Sequence, residues 1–326
     1  VRPVRILGAG PAGSAAAISA LQHGVPVELI EKSRLPRHKV CGEFLSPEAA
    51  GILDRLGVWD SFAARCPAPI RRMALTVGNS VRSGVLPETA WGFSRYALDR
   101  LLYDHALASG GAAIRLNGAG ERIDILASGR QNTAAPGRRL FGFKAHFEGP
   151  AEDAVELYFF DGCYAGVSPV EGGVTNVCAL GPEPLLRRLR FDYDAVLDRS
   201  RPLAERLRPL TRAMEWLSVG PLVFGNVFRT WSDAGVYPAG DALSFVDPFT
   251  GSGIVAALST GMLAGTAAAT NVSVPEYLAG CRNALASPFR VAGILRSILR
   301  TGMADKLAPL VPASWLFRMT RPGASK

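Results

Sequence analysis

The sequence predicts an α/β fold: a Rossmann-like βαβ start, an inserted sheet of antiparallel character and a helical C-terminus. Three observations predict it. The apolar run Val4 to Leu7 enters Gly8-Ala9-Gly10-Pro11-Ala12-Gly13, which opens an alanine-rich stretch to Gln22 that Gly24 ends. That is the order strand, glycine turn, helix. Short β-type runs then recur between 140 and 180, a different texture from the start. Finally, Ile254 to Ala269 is apolar but carries Ser259, Thr260, Gly261, Gly265 and Thr266, so it reads as a buried helix, too short and mixed for a membrane span.

The first unit closes with a strand from Val25 to Ile30 and an acid, Glu31. In a GxGxxG turn the first glycine permits the tight turn, the second admits a pyrophosphate and the third lets helix and strand pack closely. An acid about 20 residues on is the expected partner of a ribose hydroxyl. A plain βαβ unit with a tight turn is the competing reading. Beyond it, Ser46-Pro47-Glu48 resembles a helix start with Pro at the first helical position, leading to a stop at Gly57. Runs at Met73 to Val77 and Val81 to Leu86 flank the turn Gly78-Asn79. Ser94 to Leu107 is an amphipathic helix, with Leu98, Leu101, Leu102 and Ala106 at helical spacing. Ala112 to Leu116 is a candidate strand, and 117–139 is polar apart from Ile123 to Leu126.

Further on, Phe141 to Phe147, Val155 to Phe160, Tyr164 to Val167 and Val174 to Leu180 are separated by Gly149-Pro150, Asp161-Gly162 and Gly172-Gly173, which suits an antiparallel sheet. Pro184 to Leu210 is basic and helical in pattern, 219–239 returns to short strands, and 275–320 is mostly helical.

The chain has 326 residues, 48% of them apolar and 20% charged, with 36 Lys and Arg against 28 Asp and Glu. This excludes disorder and leaves room for one large or two ordinary domains. A basic excess suits an anionic cofactor, substrate or membrane surface. No helix-turn-helix, zinc-finger or RNP pattern is present, so nucleic acid is not an expected partner. The five cysteines and four histidines are scattered without metal-ligand spacing, so no metal is expected and a reducing compartment is the simplest reading. The chain enters a strand at once, without a signal-peptide pattern, and the expected location is the cytoplasm with peripheral membrane association as the alternative.

A second informative stretch is Tyr237-Pro238-Ala239-Gly240-Asp241-Ala242 followed by Asp247-Pro248-Phe249-Thr250-Gly251-Ser252-Gly253-Ile254. Asp241 at a strand end could bind a hydroxyl-bearing chain. The glycine-rich run opening the apolar helix would stabilise negative charge on a bound ring, while a loop that serves packing alone is the alternative.

Together with the N-terminal glycine motif, this pairing resembles the FAD-dependent oxidoreductases related to p-hydroxybenzoate hydroxylase, and most of all their geranylgeranyl reductase branch. Lys39-Val40-Cys41-Gly42-Glu43 with Leu45-Ser46-Pro47 resembles that branch's KxCGE-type loop. Ser94-Arg95-Tyr96 with Asp99 resembles its cofactor-contacting helix, and Tyr164 to Pro169 with Asn176-Val177 its YxWxFP…NVG strand pair. The resemblance spans most of the chain. It implies a FAD-binding domain over 1–66, 94–130 and 219–285, a substrate domain over 67–93 and 131–218, and a C-terminal helical segment, 286–326.

The implied cofactor set is Gly8, Gly10, Pro11, Ala12 and Gly13 at the diphosphate, Glu31 and Lys32 at the adenosine, Cys41 and Gly42 near the flavin, and Arg95 and Asp241 at the diphosphate–ribitol region. Pro248, Gly251, Ser252, Gly253 and Ile254 would lie along the isoalloxazine. The catalytic candidates are Cys41, as a flavin-proximal thiol, and Tyr164, as a donor into the substrate cavity. Against these stand a small buried cysteine beside Gly42 and a half-buried strand aromatic. Glu43 is either an acid near the ring or a surface carboxylate. His38, between Arg37 and Lys39, reads as part of a solvated basic loop clamping phosphate rather than as a general base.

The arginines from 187 to 212 read as a solvated helix face or a patch for an anionic partner. The basic amphipathic stretch Phe289 to Met303 packs on the body or rests on lipid.

The chain departs from the family pattern in places. Ala127-Ser128-Gly129-Arg130 stands where an Asp-Gly motif belongs, with Ser128 replacing the acid, and Leu116 to Ile125 is too short for a three-stranded meander, which suggests residues missing there. The WxWxIP pair of flavin-dependent halogenases is absent, which demotes halogenation. The resemblance implies an FAD-dependent oxidoreductase acting on an apolar polyene, prenyl or polyketide-type substrate, with NAD(P)H as a transient donor. The alternatives are an aromatic monooxygenase, for which the substrate would be small and aromatic, and a non-catalytic flavin-binding partner in a biosynthetic assembly.

Overall fold

The computed structural model describes residues 2–78, 80–114, 122–130, 139–222, 225–226, 235–245 and 251–285. In chain order they form β1 (Val4–Leu7), α1 (Pro11–Gln22), β2 (Val27–Ile30), β3 (Phe44–Leu45), α2 (Ala49–Arg55), α3 (Trp59–Ala63), β4 (Ala68–Val77), β5 (Ser80–Gly92), α4 (Arg95–Ala108), β6 (Ala112–Ile114) and β7 (Ile125–Leu126). Then come β8 (Leu140–Glu148), β9 (Ala154–Phe160), β10 (Cys163–Pro169), β11 (Thr175–Pro182), α5 (Glu183–Arg188), α6 (Tyr193–Leu197), α7 (Arg201–Leu207), β12 (Thr211–Arg212) and β13 (Leu217–Leu222). Next follow β14 (Gly225–Asn226), β15 (Tyr237–Pro238), β16 (Ser244–Phe245) and α8 (Gly253–Thr270), with a last helix, α9, over 274–285. Pro248 and the segment 286–326 lie outside the described residues, as do 117–121 and 131–138 of the poorly patterned stretch.

Two sheets carry the fold. The first runs β15-β7-β1-β2-β6 and is parallel throughout. The second runs β12-β8-β11-β10-β9-β4-β5-β3, with β13 also on β8. It is antiparallel except where β4 meets β9 in parallel, a difference from the expected antiparallel sheet. β4 and β9 are not joined by a hairpin, so nothing in their connection imposes opposite directions. Phe44–Leu45 and Leu217–Leu222 also hydrogen-bond into this second sheet, pairing with β5 and β8.

The apolar stretch expected to be a buried helix is α8, and it packs on α1. A Cβ on Gly261 would lie 2.1 Å from the Ala12 carbonyl oxygen, and one on Gly265 2.2 Å from that of Ala16. Glycine is what allows the two backbones to approach. Two polar residues in the run find partners: the Ser19 and Thr266 hydroxyls meet at 2.9 Å across the same contact, and the Thr260 hydroxyl accepts from Gly240 N–H, in the turn after β15, at 2.9 Å.

Two local expectations shift. After Ser46 the chain makes a turn, and α2 begins at Ala49 rather than at Pro47. The basic region after Pro184 is three short helices, broken where Arg190 and Phe191 take positive φ of 53° and 58°. Its arginines are largely ion-paired: Arg187 with Glu183, Arg199 with Asp161, Arg201 with Glu205, Arg206 with Glu156 and Arg212 with Asp194. These pairs offset the charge of five of the eight arginines between 187 and 212.

Alternation along the strands gives the second sheet two distinct faces. On one, Phe143, Ala145, Phe147, Ala165, Val167 and Val177 pack under α5, α6 and α7 through Leu185, Leu186, Val196, Leu197 and Leu203. The register aligns the other face in rows. Lys144 lies opposite Cys178, Cys178 opposite Gly166, Gly166 opposite Leu157, and Leu157 opposite Leu75. The next row runs His146, Asn176, Ser168. This second face is polar at β8 and apolar at β4 and β9, and it forms the floor of the site.

Candidate functional site

The glycine turn is built for close approach. Gly8 has φ +104°, and a Cβ there would lie 2.3 Å from the Ala127 carbonyl oxygen, while one on Gly13 would lie 1.7 Å from that of Gly8. These two glycines are required by the protein itself. Gly10 differs: a Cβ there would meet only Arg95 Nη2 at 3.6 Å and Lys39 Nζ at 3.7 Å. Space over Gly10 is therefore left open between two cations. Glu31, at the end of β2, accepts from Ala9 N–H at 3.0 Å and Ser33 N–H at 2.9 Å, tying the turn to the second strand.

Both cations share one carboxylate. Asp99 accepts from Arg95 Nε at 2.7 Å and from Lys39 Nζ at 2.6 Å and is fully buried. Burial alone would push its carboxyl up, but Arg95 and Lys39 outweigh this and hold it below the usual carboxylate range. Burial and the neighbouring Arg95 lower Lys39, against the pull of Asp99. Two cations against one carboxylate leave a positive charge facing Gly10 and the N-terminus of α1. That arrangement suits a diphosphate, so the residues present fit the phosphate end of FAD.

From this end a cavity of about 750 Å³ extends to the floor of the second sheet. Among the site residues expected from sequence, Gly8, Gly10, Pro11, Ala12, Glu31 and Lys32 line its first part. Cys41, Gly42, Arg95, Tyr164, Asp241, Gly251, Gly253 and Ile254 line the rest. Gly13 and Ser252 do not line it: Gly13 is pressed against Gly8, and Ser252 is buried at the start of α8. Removal from water raises the Asp241 carboxyl, with Arg95, Arg130 and Lys39 pulling the other way. Ser128 and Arg130, in the stretch that departs from the family pattern, also line the cavity.

Sequence left the role of Glu43 open and gave none to Lys144 or His146. Glu43 is completely buried, which rules out the surface-carboxylate reading. It has φ +54°, lines the cavity, and accepts from Arg95 N–H at 2.8 Å, from His146 Nε2 at 2.6 Å and from Lys144 Nζ. Its carbonyl accepts from Phe93 N–H at 3.0 Å. Lys144 is also completely buried. The sequence did carry a sign of this pair, two basic residues two apart in an otherwise apolar strand.

His38 is not on the phosphate side: it stacks on Tyr96 at 4.8 Å and meets His146 edge-on at 5.2 Å. Asn176 donates to the Cys41 carbonyl at 3.2 Å and to that of Gly42 at 3.0 Å, seating the cysteine loop on β11. Cys178 joins the cavity wall beside it, its thiol pushed up by burial.

Comparison with known proteins agrees with this geometry. Residues 2–123 match the FAD binding domain family model. The digeranylgeranylglycerophospholipid reductase of Methanothrix thermoacetophila is 29% identical over 316 residues, 83% of this chain and 78% of that protein. A menaquinone reductase of Mycolicibacterium smegmatis is 47% identical, but over 55 residues, so the match spans only 13% of that protein. A flavoprotein/dehydrogenase from Cytophaga hutchinsonii has the same fold, with a TM-score of 0.79 and 18% identity over 98% of this chain and 92% of that one.

Fold and site thus define a flavoprotein with a glycine-turn diphosphate cradle. The chain carries an FAD binding domain over residues 2–123 and is an FAD-dependent oxidoreductase.

Proposed function

We propose that the protein is a geranylgeranyl reductase-type enzyme that saturates carbon–carbon double bonds in an apolar polyene, prenyl or polyketide-type chain. One observation carries the reading. The cavity runs without interruption from the cationic glycine turn to an apolar floor of Met73, Leu75, Val155, Leu157 and Phe159. The first end suits FAD and the second an apolar chain. FAD held there would supply two-electron transfer to the substrate.

In this reading Gly10, Lys39 and Arg95 hold the diphosphate, Glu31 and Lys32 face the adenosine, and Asp241 takes a ribitol hydroxyl. Gly251, Gly253 and Ile254 flank the ring. Cys41, whose thiol accepts from Glu43 N–H at 3.4 Å, and Tyr164 stand at the junction of the two ends. NAD(P)H is the proposed transient donor. The basic stretch 289–303 is the proposed contact with a membrane that carries the substrate, on its cytoplasmic side.

The test is anaerobic titration of the FAD-loaded protein with NADPH against a panel of prenyl, polyene and polyketide substrates. Saturation of a double bond without oxygen supports the proposal. A single hydroxyl inserted only in the presence of oxygen and substrate makes the enzyme an aromatic monooxygenase instead. Bound flavin that resists every donor makes it a non-catalytic partner.

A further inference from the structure

We propose that His38, His146 and Glu43 form a proton relay between solvent and the cavity, with Lys144 as its fixed counter-cation. The three groups lie in sequence from outside to inside. His38 is exposed and stacks on Tyr96, itself 43% exposed. The His146 ring stands edge-on to His38, with centroids 5.2 Å apart and planes at 88°, and is buried. His146 Nε2 lies 2.6 Å from Glu43 Oε2, and Glu43 lines the cavity. Neither histidine lines the cavity, so Glu43 is the only one of the three groups that faces it.

A purely structural bolt does not require this composition. Lys144 already neutralises Glu43 in a fully buried pair, and Arg95 N–H satisfies the same carboxylate oxygen. The other oxygen is given to a histidine, the side chain whose charge changes near neutral pH, and that histidine touches a second one that reaches water. Burial pushes the Glu43 carboxyl up, but His146 and Lys144 outweigh it, so the carboxylate is ionised at rest and takes a proton only in passage. His38 is lowered by its partial burial and by Lys144 and His146, against the pull of Glu43 and Glu171. It is therefore suited to pick up a proton from water and pass it inward rather than store it.

The relay rests on the proposed reaction for its purpose. Saturating a double bond adds a hydride to one carbon and a proton to the other, whose new C–H bond uses the π electron pair. His38 and water first protonate His146, whose Nε2–H passes its proton to the Glu43 carboxylate. Glu43 then gives that proton to the carbon, the O–H bonding pair remaining on the carboxylate, which is ionised again. One proton moves inward per turnover and no electron crosses the relay.

Two measurements test it. The first needs no flavin. In full-length protein with carbon-13-labelled histidines, NMR titration follows the four rings. Glu43→Gln removes the carboxylate 2.6 Å from His146 Nε2 and displaces the His146 ring resonances. His146→Gln keeps a donor nitrogen at the same reach and displaces the His38 resonances. Unchanged His146 resonances in the first variant, or unchanged His38 resonances in the second, would show that the groups are not coupled and overturn the relay.

The second measures proton uptake with an indicator dye, in weak buffer, as dithionite reduces the FAD-loaded protein. His146→Gln slows uptake by about 10²-fold, while the surface variant His38→Ala slows it about tenfold. Free imidazole restores His38→Ala and not the buried His146→Gln. A structural role would alter stability but give no response to imidazole. Uptake at the wild-type rate in both variants, or His38→Ala insensitive to imidazole, overturns the relay. Failure to bind FAD would sink the proposed function instead, and the NMR titration would still judge the relay.

Discussion

Replacing Lys144 by Met removes the lysine partner of Glu43 and leaves the carboxylate completely buried. Both side chains have no exposed surface, so water cannot take the lysine's place. Breaking a buried pair from one side costs about 3–5 kcal/mol, because the remaining charge is uncompensated. The effect depends on pH, and its sign follows from the shift. In the wild type the folded-state pKa of Glu43 is lowered. Glu43 therefore stabilises the fold above its unfolded pKa of about 4.3, and this is lost as pH falls through the folded value.

In Lys144→Met, burial acts with only His146 and the Arg95 N–H against it, and the folded pKa is expected above the unfolded one. The group then destabilises at neutral pH, and the penalty fades as pH falls toward the unfolded pKa. Urea unfolding of the FAD-free protein, at neutral pH and near pH 5, reads both effects. The double variant Glu43→Gln/Lys144→Met, with no charge left in the pocket, recovers most of the loss. A loss below about 1 kcal/mol at neutral pH, or a double variant no more stable than the single one, would refute the reasoning.

Gly10→Ala leaves the thermal stability of the FAD-free protein nearly unchanged, since its Cβ meets nothing closer than 3.6 Å, but it weakens FAD binding in a fluorescence titration. Gly13→Ala lowers the melting temperature, because a Cβ 1.7 Å from the Gly8 carbonyl oxygen forces the turn from the helix. Arg95→Met removes one of the two cations over Gly10 and weakens FAD binding by about 1.5–3 kcal/mol, with a smaller dependence of affinity on salt. Leu157→Gln, on the apolar floor, raises KM for an apolar chain while FAD affinity stays as in the wild type, which parallel flavin titration and steady-state kinetics would establish.

The elements of the fold were largely legible because their signals are local. Short β-type runs between turn residues marked β8 to β11 and helical spacing marked α4. The glycine turn was legible because Gly8 and Gly13 answer to neighbours close along the chain or in the adjacent strand. The site was legible only where a motif carries it. Cys41, Arg95 and Asp241 were expected and lie on one cavity, while Lys144 and His146 were not expected. A lysine in a strand reads as solvent-facing, and only its partner can justify its burial.

The sequence by itself determined the class of protein, because a diphosphate-binding turn needs particular residues at fixed short spacings. It also determined that residues 253–270 form a helix of apolar character. Only the tertiary structure decided which element this buried helix packs against, α1, through two glycines lying against that helix. It alone decided the parallel pairing of β4 with β9. It alone brought Glu43 to Lys144 and His146 across 101 and 103 residues of chain. Contacts at that separation are set by sheet register and by the packing of whole elements, and no local pattern of residue types records them.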